Sequence, residues 1–244
     1  MKLAIISDVH ANLPALEAVL AEIKAESAHR ILCLGDIVGY GASPNECCDR
    51  LREAKVVSVK GNHDRAAVEP GREEWFTPQA RACLLWTREV LSERNKRWLA
   101  PFPDVRQVER VTLCHGSLVE PDDYVFSWHE AMPSFVRLGT RIAFLGHTHY
   151  AAWYYYEADP PRGDGEMVPQ PRTIKVNLNG QYLVNPGAVG QPRDGNPAAA
   201  YLLYDDQVEE IRFRRVEYDI DQAATAIVEA GLPTSMAARL YAGM

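Results

Sequence analysis

The fold is first indicated by the opening stretch KLAIISDVH, residues 2–10. Residues 2–6 are almost entirely apolar, and Asp8 and His10 follow them directly. A short apolar run that stops at polar residues is typical of a β-strand buried on both faces. The stretch therefore predicts a buried strand whose end carries a carboxylate and an imidazole.

The same pattern recurs along the chain, with further buried strands predicted at residues 31–34, 56–59, 111–114 and 142–145. Polar residues follow each of them. These strand ends are Gly35-Asp36, Gly61-Asn62-His63-Asp64, His115-Gly116 and Gly146-His147-Thr148-His149. Five of the seven histidines thus lie at strand ends, and only His29 and His129 lie elsewhere.

The order of elements indicates the α/β class. Asn12 and Thr77 are predicted to cap helices, the second of which runs to about residue 94, and a short helix is predicted at 44–51. Strands that alternate with helices favour parallel βαβ units. The later part predicts strands at 153–157, 173–178, 182–184, 199–204 and 208–216, a long loop at 159–171, and helices at 221–230 and 234–241.

We therefore predict one domain over residues 1–244, built as two facing mixed β-sheets flanked by helices, a four-layer α/β/β/α sandwich. The formal net charge of -7 lacks the basic footprint of nucleic-acid binders, so a nucleic-acid polymer is not expected as a partner. No apolar run is long enough for a signal peptide or a membrane span, which predicts a cytoplasmic protein without membrane association. The five cysteines, odd in number, are expected to be free thiols.

The polar strand ends predict a metal site. Strand-end loops at one edge of an α/β sheet converge, and strand alternation would let Asp8 meet His10 and His147 meet His149. Carboxylates, an amide oxygen and imidazoles suit Mn, Fe, Co, Ni or Zn better than Ca or Mg. The donors are too many for one ordinary site, so two ions are expected, and Asp36 could bridge them.

DVH, GDIVGYG, GNHD, HG and GHTH, spread over residues 8–149, resemble in this order the calcineurin-like metallophosphoesterase superfamily. The segment NPGAVGQPR at 185–193 is similar to a further block of its small bacterial and archaeal phosphodiesterase-type branch. The resemblance implies a phosphoric ester hydrolase that uses a hydroxide held by two divalent ions, with manganese favoured. The implied substrate is a small phosphate ester or a nucleotide.

Individual roles also follow from the resemblance. Asp8, His10 and His149 would bind one ion, and Asn62, His115 and His147 the other. Asp36 would bridge the two ions. His63 would not bind metal but would protonate the leaving oxygen or stabilise the transition state, and Arg193 could contact the substrate phosphate.

One branch of the superfamily fits less well. Protein Ser/Thr phosphatases carry GDxVDRG and GNHE, where this chain has Gly39, Tyr40 and Asp64. The difference favours a phosphodiesterase, and leaves a protein or phosphomonoester phosphatase and a non-catalytic scaffold as alternatives. A nuclease and an amide or lactam hydrolase are the more distant ones. The aromatic run 153–156 and the last helices could pack between copies in a homo-oligomer.

Overall fold

A computed structural model describes all 244 residues, which form twelve strands, eight α-helices and one 3-10 turn at Glu73–Trp75. The strands are β1 Lys2–Ile6, β2 Arg30–Cys33, β3 Val57–Ser58, β4 Val105–Val108, β5 Val111–Cys114, β6 Ile142–Phe144, β7 Ala151–Ala158, β8 Pro161–Met167, β9 Arg172–Lys175, β10 Gln181–Pro186, β11 Ala199–Asp205 and β12 Glu210–Val216. The helices are α1 Leu13–Ala25, α2 Pro44–Glu53, α3 Asn62–Val68, α4 Pro78–Val90, α5 Glu93–Leu99, α6 Trp128–Arg137, α7 Ile220–Glu229 and α8 Thr234–Ala242.

The strands form two six-stranded sheets, in the orders β3-β2-β1-β11-β12-β9 and β4-β5-β6-β10-β7-β8. In the first sheet β1, β2 and β3 are parallel, as the βαβ pattern predicts, and β11 returns antiparallel to β1. In the second sheet β5, β6 and β10 are parallel, whereas the outer strands pair antiparallel. The predicted class of two mixed sheets flanked by helices is confirmed.

Strand β1 shows why its sequence is apolar throughout. Leu3 and Ile5 lie in the core between the two sheets, whereas Ala4 and Ile6 face the helices α1 and α2. Since successive side chains point to opposite faces, a strand covered on both sides needs apolar residues at every position. A third apolar cluster joins α6 to the outer face of the second sheet, which completes the four layers.

The predicted loop at 159–171 is wrong, because residues 161–167 form strand β8 and pair with β7 in an antiparallel hairpin. Strand β8 lies at the edge of the sheet and is exposed along almost its whole length. An exposed edge strand needs no apolar alternation and tolerates Pro and Gly, so its sequence does not carry the usual strand pattern.

The helix predicted from Thr77 to about residue 94 is present as α4, but it ends earlier than predicted, at Val90. Thr77 does cap α4, but the backbone turns extended at Leu91, and the Ser92 side chain then accepts a hydrogen bond from the Asn95 amide at 3.3 Å to start α5. Helices α3 and α6 and strand β4 were not predicted.

All five cysteines are free and buried, as expected. None of the helices combines the length and the apolar character needed to cross a bilayer.

Candidate metal centre

The structure brings the predicted metal-site residues together, in loops that follow strands of both sheets. Asp8 and His10 follow β1, Asp36 follows β2, and Asn62 and His63 follow β3. From the second sheet, His115 follows β5, and His147 and His149 follow β6. All but Asn62 are almost completely buried. His129 is exposed on α6 and His29 is exposed near the start of β2, so neither belongs to this group.

The first cluster consists of Asp8, His10 and His149. Asp8 Oδ1 lies 3.3 Å from His149 Nε2 and 3.8 Å from His10 Nε2. The two imidazole nitrogens are 3.1 Å apart. Three donor atoms from two sheets therefore surround one point.

The second cluster is centred on His115. Its Nε2 lies 3.1 Å from Asn62 Oδ1, 3.1 Å from His147 Nδ1 and 3.3 Å from Asp36 Oδ2. The same Asp36 Oδ2 is 3.6 Å from His10 Nε2 of the first cluster. Asp36 thus lies between the clusters, and its other oxygen accepts the His63 backbone amide at 2.8 Å.

The hydrogen bonds of the histidine rings show which nitrogen of each ring faces its cluster. His10, His115 and His149 each direct Nδ1 at a backbone carbonyl, those of Val38, Leu34 and Gln191, at 2.6–3.2 Å. A carbonyl only accepts, so Nδ1 must carry a proton, and Nε2 presents a lone pair wherever the ring is neutral. Ring orientation by such backbone partners is typical of metal-binding histidines.

His147 follows the same rule with its nitrogens exchanged. Its Nε2 faces the Asp122 carbonyl at 3.0 Å, which leaves the Nδ1 lone pair facing His115. Asp8 Oδ1 is buried with no hydrogen-bond partner at all. In the first cluster the imidazole lone pairs and the Asp8 carboxylate thus face one another without a hydrogen-bond donor, and the N and O atoms of both clusters fit a divalent transition-metal ion.

The protonation equilibria keep three of the four imidazoles neutral and make His115 the exception. Burial holds the pKa of His10 and His149 well below the ordinary value and lowers that of His147 to about 3, which keeps these imidazoles neutral. Burial also opposes a charge on His115, but Asp36 and Asp8 outweigh it and raise its pKa to about 10. The carboxylates thus favour a positive charge at this point, and a metal ion would supply it.

The backbone that aims these side chains is strained. Asp8, His10, Asp36, His147 and His149 all have φ between 48° and 67°, in the left-handed region that residues other than glycine seldom adopt. Asp8 and His10 do converge, but through these left-handed turns and not through strand alternation. The alternation argument is wrong for His147 and His149, which face different clusters. Such strain is found at functional sites, where surrounding contacts maintain it.

Asp64 joins the loops that carry the two clusters, a function that its position in GNHD does not reveal. It is fully buried, and Oδ1 accepts the amides of Ile37 and Val38 at 2.9 and 3.2 Å, while Oδ2 accepts the Gly61 amide at 3.2 Å. The loop after β2 is thereby tied to the loop after β3, which fixes Asp36 relative to His63.

A cavity of about 300 Å³ opens above the clusters, and Arg193 and His63 both line it. The Arg193 guanidinium lies 5.8 Å from the centre of the Tyr40 ring and contacts the Tyr40 hydroxyl at 3.4 Å. Tyr124 stacks on the His147 ring with 4.0 Å between centroids. Sequence reasoning missed these two tyrosines as site residues, because they contact the site only through tertiary packing. The remaining polar or aromatic lining includes Arg65, Arg72, Trp75, Phe76 and Asp122.

Residues 1–207 match the family model of the calcineurin-like phosphoesterase superfamily domain. The chain is 38% identical to a metallophosphoesterase from Sphaerobacter thermophilus, whose crystal structure superimposes over 100% of both chains with a TM-score of 0.88. It is 35% identical to an uncharacterised protein of Methanocaldococcus jannaschii, over 99% of this chain and 98% of that protein. It is also 25% identical to the phosphodiesterase YfcE of Escherichia coli, over 84% of this chain and 89% of that protein.

Proposed function

The chain belongs to the calcineurin-like phosphoesterase superfamily and is a hydrolase of phosphate esters, and from this membership we propose that it is a dinuclear phosphodiesterase for small esters or nucleotides. The observation that carries the proposal is the pair of donor clusters that share Asp36. The name of the YfcE relative supports the diesterase assignment.

In this proposal Asp8, His10 and His149 hold one ion, Asn62, His115 and His147 hold the other, and Asp36 contacts both. When bound, two divalent ions lower the pKa of a water molecule and offset the charge of the phosphate oxygens. The mixed N and O donors admit several transition metals, among which we favour manganese.

His63 serves the leaving oxygen. Its side chain lines the cavity, and its burial lowers the pKa to about 4, so the ring is neutral and carries a single N–H. As the bond from the attacking oxygen to phosphorus forms and the bond to the leaving oxygen breaks, negative charge develops on the leaving oxygen. The His63 N–H stabilises that charge by donating a hydrogen bond to the leaving oxygen, and solvent supplies the proton that the departing group takes up.

Arg193 binds a phosphate oxygen. The Tyr40 ring supports its guanidinium, and the Nε atom is buried without a hydrogen-bond partner. A planar guanidinium that already lies in the cavity suits the paired oxygens of a phosphate group.

The rim of the cavity favours a nucleotide among the small esters. Trp75 is 73% exposed and Tyr124 is 49% exposed, although both are large aromatic side chains that line the cavity. Arg72 lies 5.3 Å from the centre of the Trp75 ring. Exposed aromatic faces with nearby guanidinium groups are what stacking of a nucleobase requires.

The proposal is tested by hydrolysis of bis(p-nitrophenyl) phosphate and p-nitrophenyl phosphate in the presence of Mn²⁺. We expect the diester to be preferred. His63→Ala should reduce kcat for diphenyl phosphate, a diester with a more basic leaving group, by roughly 100-fold or more, because it removes the N–H that stabilises the leaving oxygen, and should reduce kcat for bis(p-nitrophenyl) phosphate much less. His129→Ala, which removes an exposed imidazole outside the cavity, is the matched control and should keep its activity.

Preference for the monoester would replace the diesterase assignment with a phosphomonoesterase. Metal binding without hydrolysis of either ester would support the non-catalytic scaffold instead.

A further inference from the structure

The ring of His63 lacks the hydrogen bond that usually orients a catalytic histidine. Its Nδ1 atom is buried and has no partner. The hydrogen bond from the His63 amide to Asp36 fixes only the main chain. The orientation of the ring must therefore come from packing.

Gly39 explains why no carboxylate reaches Nδ1. A β-carbon at position 39 would overlap Nδ1, and Gly39 has a φ of 93°, which side-chain-bearing residues rarely adopt. The His63 ring thus occupies the space that a side chain at position 39 would need. A carboxylate introduced there would displace the ring and not orient it.

Aromatic rings enclose His63 instead. The centroid of Tyr40 lies 4.4 Å from that of His63 with the planes tilted by 55°, and Phe76 meets the ring edge-on at 4.8 Å and 81°. Tyr40 also contacts Arg193 through its ring face and its hydroxyl. Edge-to-face and tilted contacts at these distances are the preferred aromatic geometries, and they restrict rotation of the enclosed ring.

We propose that Tyr40 and Phe76 are positioning residues, which hold His63 towards the leaving oxygen by ring packing in place of a hydrogen bond to Nδ1. This inference rests on the proposed function, since it requires that His63 serves the leaving group. It predicts that loss of either ring lowers kcat mainly for substrates whose leaving group needs help, whereas any effect of Tyr40 on Arg193 appears in KM for all substrates.

The test compares bis(p-nitrophenyl) phosphate with diphenyl phosphate, which has a similar shape but a more basic leaving group. Tyr40→Leu should reduce kcat for diphenyl phosphate by about 10-fold, which is part of the roughly 100-fold loss expected when the His63 ring itself is removed. The loss for bis(p-nitrophenyl) phosphate should be at most about threefold, because p-nitrophenolate leaves without protonation. Metal content should equal that of the wild type.

Matched variants separate positioning from general loss of packing. Phe76→Leu should repeat the dependence on the leaving group, whereas Phe102→Leu should not, although both residues are half-buried aromatics packed against the same core cluster. Phe102 contacts Trp98, remote from the metal-site rings. Tyr40→Phe keeps the ring but loses the hydroxyl next to Arg193. Its kcat should therefore be close to that of the wild type, unlike that of Tyr40→Leu, whereas its KM should be higher than that of the wild type. Phe76→Leu also carries the test if Tyr40→Leu does not fold.

The double variant Phe76→Leu/His63→Ala should be no slower than His63→Ala alone, because Phe76, unlike Tyr40, packs on His63 and not on Arg193 and has nothing to add once the His63 ring is gone. An equal loss on both substrates, or additive losses in the double variant, would overturn the inference and leave the proposed function intact. If the wild type hydrolyses neither diester, it is the proposed function that fails.

Discussion

Asp64 shows how one buried carboxylate organises the candidate site at the scale of a residue. Its two oxygens accept three backbone amides from two different loops, and no side chain shares them. Burial outweighs these hydrogen bonds and raises the Asp64 pKa to about 7. The three amides are themselves buried, so they depend on this one acceptor group.

Asp64→Asn should lower the free energy of unfolding by about 1–3 kcal/mol. One of the two accepting oxygens becomes an N–H₂ group, so at least one buried backbone amide loses its hydrogen-bond acceptor. Urea denaturation of the two proteins at equal metal loading measures the change. Asp164→Asn, an exposed aspartate on β8, is the matched control and should unfold like the wild type. Equal stability of both variants would contradict the function that we assign to Asp64.

That the candidate metal-site residues gather in two clusters of donor atoms could be predicted from the sequence, because their chemistry lies in the residue types themselves. Asp8, His10 and Asp36 carry the donor atoms whatever the backbone does. Tyr40 and Phe76 could not be predicted, because an aromatic residue acquires its function only through the ring it touches. The left-handed backbone at the ligands also left no sequence signal, since surrounding contacts and not residue type impose it. The metal assignments of the individual residues, manganese and the cytoplasmic location stay predictions.

At the scale of elements, the edge strand β8 supports helix α6. The Trp128 ring lies against Gly163 so closely that a β-carbon there would overlap it, and its Nε1 donates to the Tyr155 carbonyl at 3.0 Å. Residues 159–171 are polar and rich in Pro and Gly, so hydrophobic periodicity could not reveal this strand. The Trp128 ring explains the glycine at position 163.

Gly163→Ala should therefore destabilise the protein by about 1–3 kcal/mol, the usual cost of overpacking. The measurement is the thermal unfolding midpoint by circular dichroism. Gly139→Ala provides the comparison, because a β-carbon at position 139 meets no atom within 4 Å. If the two variants melt together, Trp128 does not need the space above Gly163.

On the scale of the whole molecule, both ends of the chain contribute to the same structure. Strand β1 pairs with β11, and one apolar core between the sheets takes residues from Leu3 to Phe213. The last helices, beyond the part that matches the family model, pack against Cys83 of α4. We therefore propose that residues 1–244 form one domain, as the order of elements predicts.

A single domain should unfold in one transition, with equal calorimetric and van't Hoff enthalpies. Differential scanning calorimetry of the metal-free protein measures both quantities without a contribution from metal release. Two resolved transitions would show that the chain divides into separate units.

We propose that the two neighbouring clusters each hold a metal ion and share Asp36. The most direct test is elemental analysis of the protein after loading with Mn²⁺ and removal of free metal, together with the Asp36→Asn and His63→Ala variants. We expect about two ions per chain in the wild type and in His63→Ala, and far fewer in Asp36→Asn, because a neutral amide cannot bridge two cations. One ion or none in the wild type, or equal metal loss in both variants, would contradict the proposal.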